Sequence, residues 1–245
     1  MTASGSALLP DPWLSAGLGR PAYRFPAGAG GVSADIGTWA QRPVFVTAKL
    51  PAMAVAETIA FQDAGFRVVD TALVFAGALA AAQPSGVRKS VAGDRAGVEA
   101  LARVAFTTSR FHLDPAFPKP LAGAIKAAWA ANFFAGKRGD LMLVAERDGT
   151  VEGFLLALRG PGAWAVDLIA TDPAARGRGI GRRLMARLAA EPVDGAPPSR
   201  IRAGTQAANA AALGFYARLG FAIERAEFVL HHHGAGGPYP EEFQA

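Results

Sequence analysis

The sequence predicts an α/β (α+β) fold: a mixed sheet flanked by helices, with a smaller α/β unit in front of it. Three observations predict it. Strand-like runs at 141–147, 151–158 and 163–171 follow one another with tight turns between them. Helical and extended periodicities then alternate as far as residue 230. Hydrophobic residues make up 51% of the 245, enough to fill a core between a sheet and its helices.

Residues 1–34 are rich in Gly, Ala and Pro. They hold an apolar island, Trp13 to Phe25, and a loop expected at Gly28–Gly31. Alternation predicts a strand over Val44–Lys49. Ala52–Ala64 reads as a helix closed by Gly65, and Phe66–Phe75 as the strand after it. These elements form the small unit, 1–86, bounded by Pro84-Ser85-Gly86; residues 87–245 form the second domain. There Asp94 is the expected N-cap of a helix over Arg95–Thr107. Asp114-Pro115 opens a second helical region, disturbed at first by Pro118 and Pro120, which runs to Phe134 and ends at Gly136. Leu141–Arg147 turns at Asp148-Gly149 into Val151–Leu158, and Gly160-Pro161-Gly162 leads into Ala163–Thr171. A helix at Ile180–Ala190, a strand at Ile201–Thr205, a helix at Ala208–Leu219 and a strand at Phe221–Leu230 complete the series.

Cysteine is absent, which removes disulfides, thiolate zinc sites and cysteine nucleophiles and suits a reducing compartment. The formal charge of +5 suits an anionic partner. No dense Lys/Arg tract with interleaved aromatics speaks for nucleic acid. Met1-Thr2-Ala3-Ser4-Gly5 does not open a signal peptide. The most apolar stretch, Ala72–Ala82, is far short of the roughly 20 residues that cross a bilayer. The expectation is a cytoplasmic protein without nucleic-acid or membrane partners.

Chemistry concentrates at Arg176-Gly177-Arg178-Gly179-Ile180-Gly181. With 29 glycines in 245 residues, three at alternate positions arise by chance on the order of 0.4 times per chain, so the pattern alone is weak. Context strengthens it. The loop follows the apolar strand Ala165–Ala170 and opens a helix carrying Leu184, Met185 and Leu188 at helical spacing. Such a loop offers unpaired amides and a helix dipole to phosphate oxygens, and Arg176, Arg178, Arg182 and Arg183 add positive charge. A glycine-rich surface turn is the competing reading. No P-loop signature is present, and Gly17-Leu18-Gly19-Arg20-Pro21-Ala22 lacks the strand that a dinucleotide fingerprint needs.

The stretch Asp167 to Gly181 resembles the acetyl-CoA motif of the GNAT acetyltransferase superfamily. Asn209-Ala210-Ala211-Ala212-Leu213-Gly214-Phe215-Tyr216, followed by Gly220-Phe221, resembles that family's second motif. The resemblance implies a mostly antiparallel sheet and acetyl-CoA as cosubstrate. It also implies direct attack of a neutral amine on the thioester. Ile169, Ala170 and Thr171 would pair with the pantetheine, and the amides of Arg178 to Arg182, beside Arg176 and Gly177, would hold the pyrophosphate. Asn209 would hold the pantetheine or a bridging water, and Tyr216 would protonate the departing thiolate; a core aromatic is the alternative for Tyr216.

For the base, Asp167 on its apolar strand and His112 are candidates, beside water-relayed deprotonation. A narrower resemblance is to the bacterial dTDP-fucosamine acetyltransferase family. Thr108-Ser109-Arg110-Phe111-His112, Trp129, Asn132 and Thr205-Gln206 carry it, and Trp13–Phe25 and Ala48–Ala76 carry it more loosely. Gly17-Leu18-Gly19 stands where that family has Phe-Phe-Gly. This resemblance implies a nucleotide-linked amino sugar as the amine, with Arg110, Phe111 and His112 as substrate residues and Arg110 suited to a pyrophosphate. A protein N-terminal or small-amine acetyltransferase and a non-catalytic acyl-CoA-binding module are the alternatives, and the resemblance admits a homodimer. His231-His232-His233 reads as a strand end, not a metal site, because adjacent strand residues face opposite ways.

Overall fold

The Val- and Leu-rich runs pair into one sheet. The computed structural model describes residues 8–26, 41–235 and 239, so the loop expected at Gly28–Gly31 lies outside it. The strands are β1 (Leu9–Pro10), β2 (Ala22–Arg24), β3 (Phe45–Pro51), β4 (Arg67–Gly77), β5 (Val87–Lys89), β6 (Leu141–Arg147), β7 (Thr150–Gly160), β8 (Ala163–Thr171), β9 (Arg200–Gln206) and β10 (Ala222–His233). Their spatial order is β1-β2-β3-β10-β4-β9-β8-β7-β6-β5. Only β2–β3 and β8–β9 pair in parallel, so the sheet is mixed and mostly antiparallel, as expected.

Residues 1–86 do not close a sheet of their own. β10, from the far end of the sequence, lies between β3 and β4, pairing Val229 with Lys49 on one side and with Asp70 on the other. What reads as a separate front unit is one end of the common sheet.

Helices α1 (Pro12–Leu18), α2 (Val55–Asp63), α3 (Arg95–Ala105), α4 (Arg110–Leu113), α5 (Lys119–Phe134), α6 (Ile180–Ala189) and α7 (Ala210–Arg218) cover it. α3 and α5 bury Val98, Leu101 and Ala130 against Met142, Val144, Phe154 and Leu168. On the opposite face α6 buries Ile180, Leu184 and Leu188 with Leu143, Leu155, Trp164 and Val166. Pro118 and Pro120 do not disturb α5; they sit at its N-cap and second residue, where a missing N–H leaves no helical hydrogen bond unmade. α1 and α4, and strands β1, β2 and β5, are too short for periodicity to reveal. Among the described residues no helix is long and apolar enough to cross a membrane.

Two irregularities position the site. Leu156 pairs with Leu168 and Ala157 with Val166, which makes Asp167 the extra residue of a β-bulge in β8. At the end of β10, alternate residues His231 and His233 turn to Asp114, with hydrogen bonds of 2.6 and 2.8 Å to its Oδ2, while His232 faces the carbonyl of Gly65. Phe45, Phe111 and Phe117 enclose the pair. Asp114 therefore ties the last strand to the segment between α4 and α5.

Removing Asp114 strands the buried His231 imidazole and takes one of two partners from the half-buried His233. Asp114→Ala should lower the unfolding free energy by about 2–4 kcal/mol, read by urea denaturation at pH 7; a change below about 0.5 kcal/mol would show that the network is not structural.

Candidate active site

β8 and β9 pair only from Ala163–Arg200 to Val166–Ala203. Beyond that point β8 stays with β7 as far as Thr171, and β9 stays with β4 as far as Gln206. The two strands part at the Asp167 bulge, and the edge of β8 facing the gap has no strand partner. A cleft of about 770 Å³ opens there. Every expected acetyl-CoA residue lines it, from Ile169 to Arg182 and on to Asn209 and Tyr216, except Arg178. The Arg178 guanidinium turns away to Glu152 at 3.1 Å, which leaves Arg176 and Arg182 as the loop cations on the cleft.

The three glycines act differently. Gly177 (φ 80°) and Gly179 (φ 72°) occupy the left-handed region, and a Cβ on either would meet nothing within 4 Å. Gly181 matters for packing, because its Cβ would press the Phe215 ring at 3.2 Å. Gly179 caps α6 without a side-chain hydrogen bond, so the first-turn amides remain for an anion. Open space, unpaired amides and an unpaired strand edge fit the pyrophosphate and pantetheine of acetyl-CoA.

Asn209 caps α7, its Oδ1 accepting from the Ala212 amide at 3.1 Å, so only its NH₂ remains for a ligand. Tyr216 is 2% exposed and stacks on Phe75 at 5.3 Å, yet it borders the cleft. Burial pushes its phenol upward and keeps it in the proton-donating form. It is the core aromatic that the sequence offered as the alternative to a proton donor, and it also reaches the cleft.

On the face of α4 and α5 the structure corrects the expectations for Asp167 and Phe111 and fixes the surroundings of His112 and Arg110. Asp167 is buried as expected, but it is paired rather than free for base work. Arg138 grips both its oxygens at 2.6 Å and the Trp129 indole donates to Oδ2 at 2.8 Å, so its lone pairs are committed away from the cleft. Phe111 is fully buried against Phe117 and cannot touch substrate. His112 takes a 2.7 Å hydrogen bond with Ser109, and burial together with Lys126 lowers its pKa. Arg110 is hemmed in by protein, donates to Thr47 at 3.1 Å, and is pushed down to about 10 by burial.

Sequence reasoning missed Asp70. It is 6% exposed, and its Oδ1 is buried without a partner. It lies beside Gln206, which borders the cleft. Burial raises its carboxyl to about 6, against the opposing pull of the Thr71 amide, Lys49 and Arg110. Lys126, from α5, was also missed. The only hint of either in the sequence is a charge inside an apolar run.

Asp114, His231 and His233 bring three donor atoms within 4.8 Å of one another. Their spacings are hydrogen-bonding distances to one shared oxygen, which accounts for that arrangement without an ion.

Residues 107–221 match the acetyltransferase (GNAT) family. The spore coat polysaccharide biosynthesis protein SpsD of Bacillus subtilis (strain 168) is 33% identical over 139 residues, 57% of this chain and 47% of that protein. This chain thus spans about half the length of that relative. The GCN5-related N-acetyltransferase structure from Sphaerobacter thermophilus aligns with a TM-score of 0.52 at 18% identity, covering 89% of this chain and 74% of that one. The one from Kribbella flavida gives 0.53 at 19%, covering 89% and 82%. At these identities the two structures establish the fold.

Gly179→Ala forces a Cβ into the left-handed region beside the anion site. It should raise the KM for acetyl-CoA about 10-fold and cost about 1 kcal/mol of stability. Steady-state kinetics and thermal melts check both.

Proposed function

We propose, because residues 107–221 match the GNAT acetyltransferase family, that the chain acetylates a primary amine of a nucleotide-linked amino sugar, with acetyl-CoA as donor. One observation carries the reading. The cleft beside the β8–β9 gap is walled by Gln206 and Phe106, and these adjoin Asp70 and Lys126 on a face that Arg110 and Lys49 share. The similarity to a polysaccharide biosynthesis protein supports a sugar, and the cations support one that carries phosphate.

Acetyl-CoA supplies an activated acetyl thioester. The α6 amides and Arg176 and Arg182 hold its pyrophosphate. Asp70 takes the proton from the incoming ammonium, through a bridging water at its unpartnered Oδ1, and releases the neutral amine that attacks. Tyr216 gives its proton to the sulfur that leaves. Asp167, locked by Arg138 and Trp129, shapes the bulge that opens the gap.

Incubation with acetyl-CoA and dTDP-linked 4-amino sugars should release free thiol. Turnover on a peptide N-terminus with none on any amino-sugar nucleotide would sink the substrate claim. Tyr216→Phe should lower kcat about 10- to 100-fold with acetyl-CoA affinity unchanged; equal rates would remove Tyr216 from the chemistry.

Asp70 must be ionised to act, so kcat/KM should rise with pH through about 6, and Asp70→Asn should lose at least about 100-fold and flatten that limb. The sign for stability is opposite. The folded carboxyl titrates above its unfolded value, so its contribution is full in acid and is lost as pH rises through about 6. Asp70→Asn should therefore stabilise the protein on the order of 2 kcal/mol at pH 8 and by less at pH 4. A variant that keeps the wild-type acid limb would exclude Asp70 as the base.

A further inference from the structure

Lys126 lies on α5 with nine-tenths of its surface buried. Its ammonium sits 5.0 Å from the Phe106 ring and 4.7 Å from the Trp129 ring. Phe106 is itself a wall of the acetyl-CoA cleft, so Lys126 stands at the boundary of donor and acceptor. Among the described residues no carboxylate pairs with it, and it makes no hydrogen bond. Two ring faces recover only part of the hydration that a buried ammonium gives up.

Its neighbours deepen the shortfall. Arg110 adds a second positive charge beside it, and Lys49, itself solvent-exposed, adds a third beside Arg110. The nearby anions are mostly committed: Asp167 to Arg138, Glu227 to Arg225, and Asp11 to the cap of α1. Asp70 alone is left. Three cations against one carboxylate leave an excess of two positive charges. Burial and Arg110 lower the Lys126 ammonium to about 8, so it is still mostly charged at neutral pH.

We infer that Lys126, with Arg110 and Lys49, forms an oxyanion subsite that reads a phosphate or carboxylate on the acceptor. This rests on the acceptor reading above and deepens it. An amine bearing such a group would be drawn in by its anion and presented to Asp70, while a neutral amino sugar would leave the ammonium unpaired. Lys126 then acts in specificity and leaves the proton transfers to Asp70 and Tyr216.

Calorimetric titration tests it on the full chain, with saturating CoA filling the glycine loop so that only the second anion site is read. Inorganic pyrophosphate probes the phosphate source and glucuronate the carboxylate source. One of them should bind the wild type, about 10- to 100-fold more weakly to Lys126→Met, and within about 5-fold of wild type to Lys126→Arg. Lys126→Gln carries the same comparison if the Met variant melts early. Equal binding by Lys126→Met, or no binding of either anion to the wild type, overturns the proposal.

None of these readouts needs acetyl transfer. Anion binding through Lys126 with no amino-sugar turnover would overturn the functional reading alone. Turnover with an unchanged acceptor KM in Lys126→Met would overturn this one alone.

Discussion

The parting of β8 from β9 after Val166 and Ala203 is the constraint on which the rest of the site depends. A parallel pair that stayed zipped would satisfy its own backbone and leave no edge for a ligand. Here the extra residue at Asp167 bends β8, and each strand keeps a partner on its outer side. The cost of the unmade bonds is limited to a few backbone groups that face a cleft. Arg138 and Trp129 hold the bulge by both carboxylate oxygens, so an apparent catalytic carboxylate is a structural clamp.

The second organising feature is the placement of β10 between β3 and β4. It sets Lys49, Val229 and Asp70 side by side across three strands, and turns His231 and His233 onto Asp114. The front of the chain thereby becomes one wall of the proposed acceptor side. α4 and α5 supply the other wall, with Arg110 and Lys126.

This acceptor side is held in tension. An unpartnered carboxylate oxygen, a raised carboxyl and a buried lysine with no paired carboxylate all disfavour the folded state. The hydrophobic layers on both faces of the sheet carry that load. Groups kept out of their preferred ionic state are the ones a ligand can relieve, which is why they mark the site more clearly than residues whose contacts are complete. Phe111 and Asp167 are satisfied by their neighbours; Asp70 and Lys126 are not.

The sequence by itself determined the parts whose physics is local. The left-handed positions at Gly177 and Gly179 need glycine, the loop must open α6, and Asn209 caps α7 two turns' length before Tyr216. Those features lie within a few residues of one another, so spacing reveals them, and with them the fold class and the cleft proposed for the donor. Only the tertiary structure decided the acceptor side. Asp70, Lys126 and Arg110 are far apart in the sequence, and nothing near Asp70 shows that residue 229 will pair beside it. A charge takes its role from what surrounds it after folding: Asp167 met an arginine and an indole, whereas Asp70 kept one oxygen unpartnered beside a residue of the cleft.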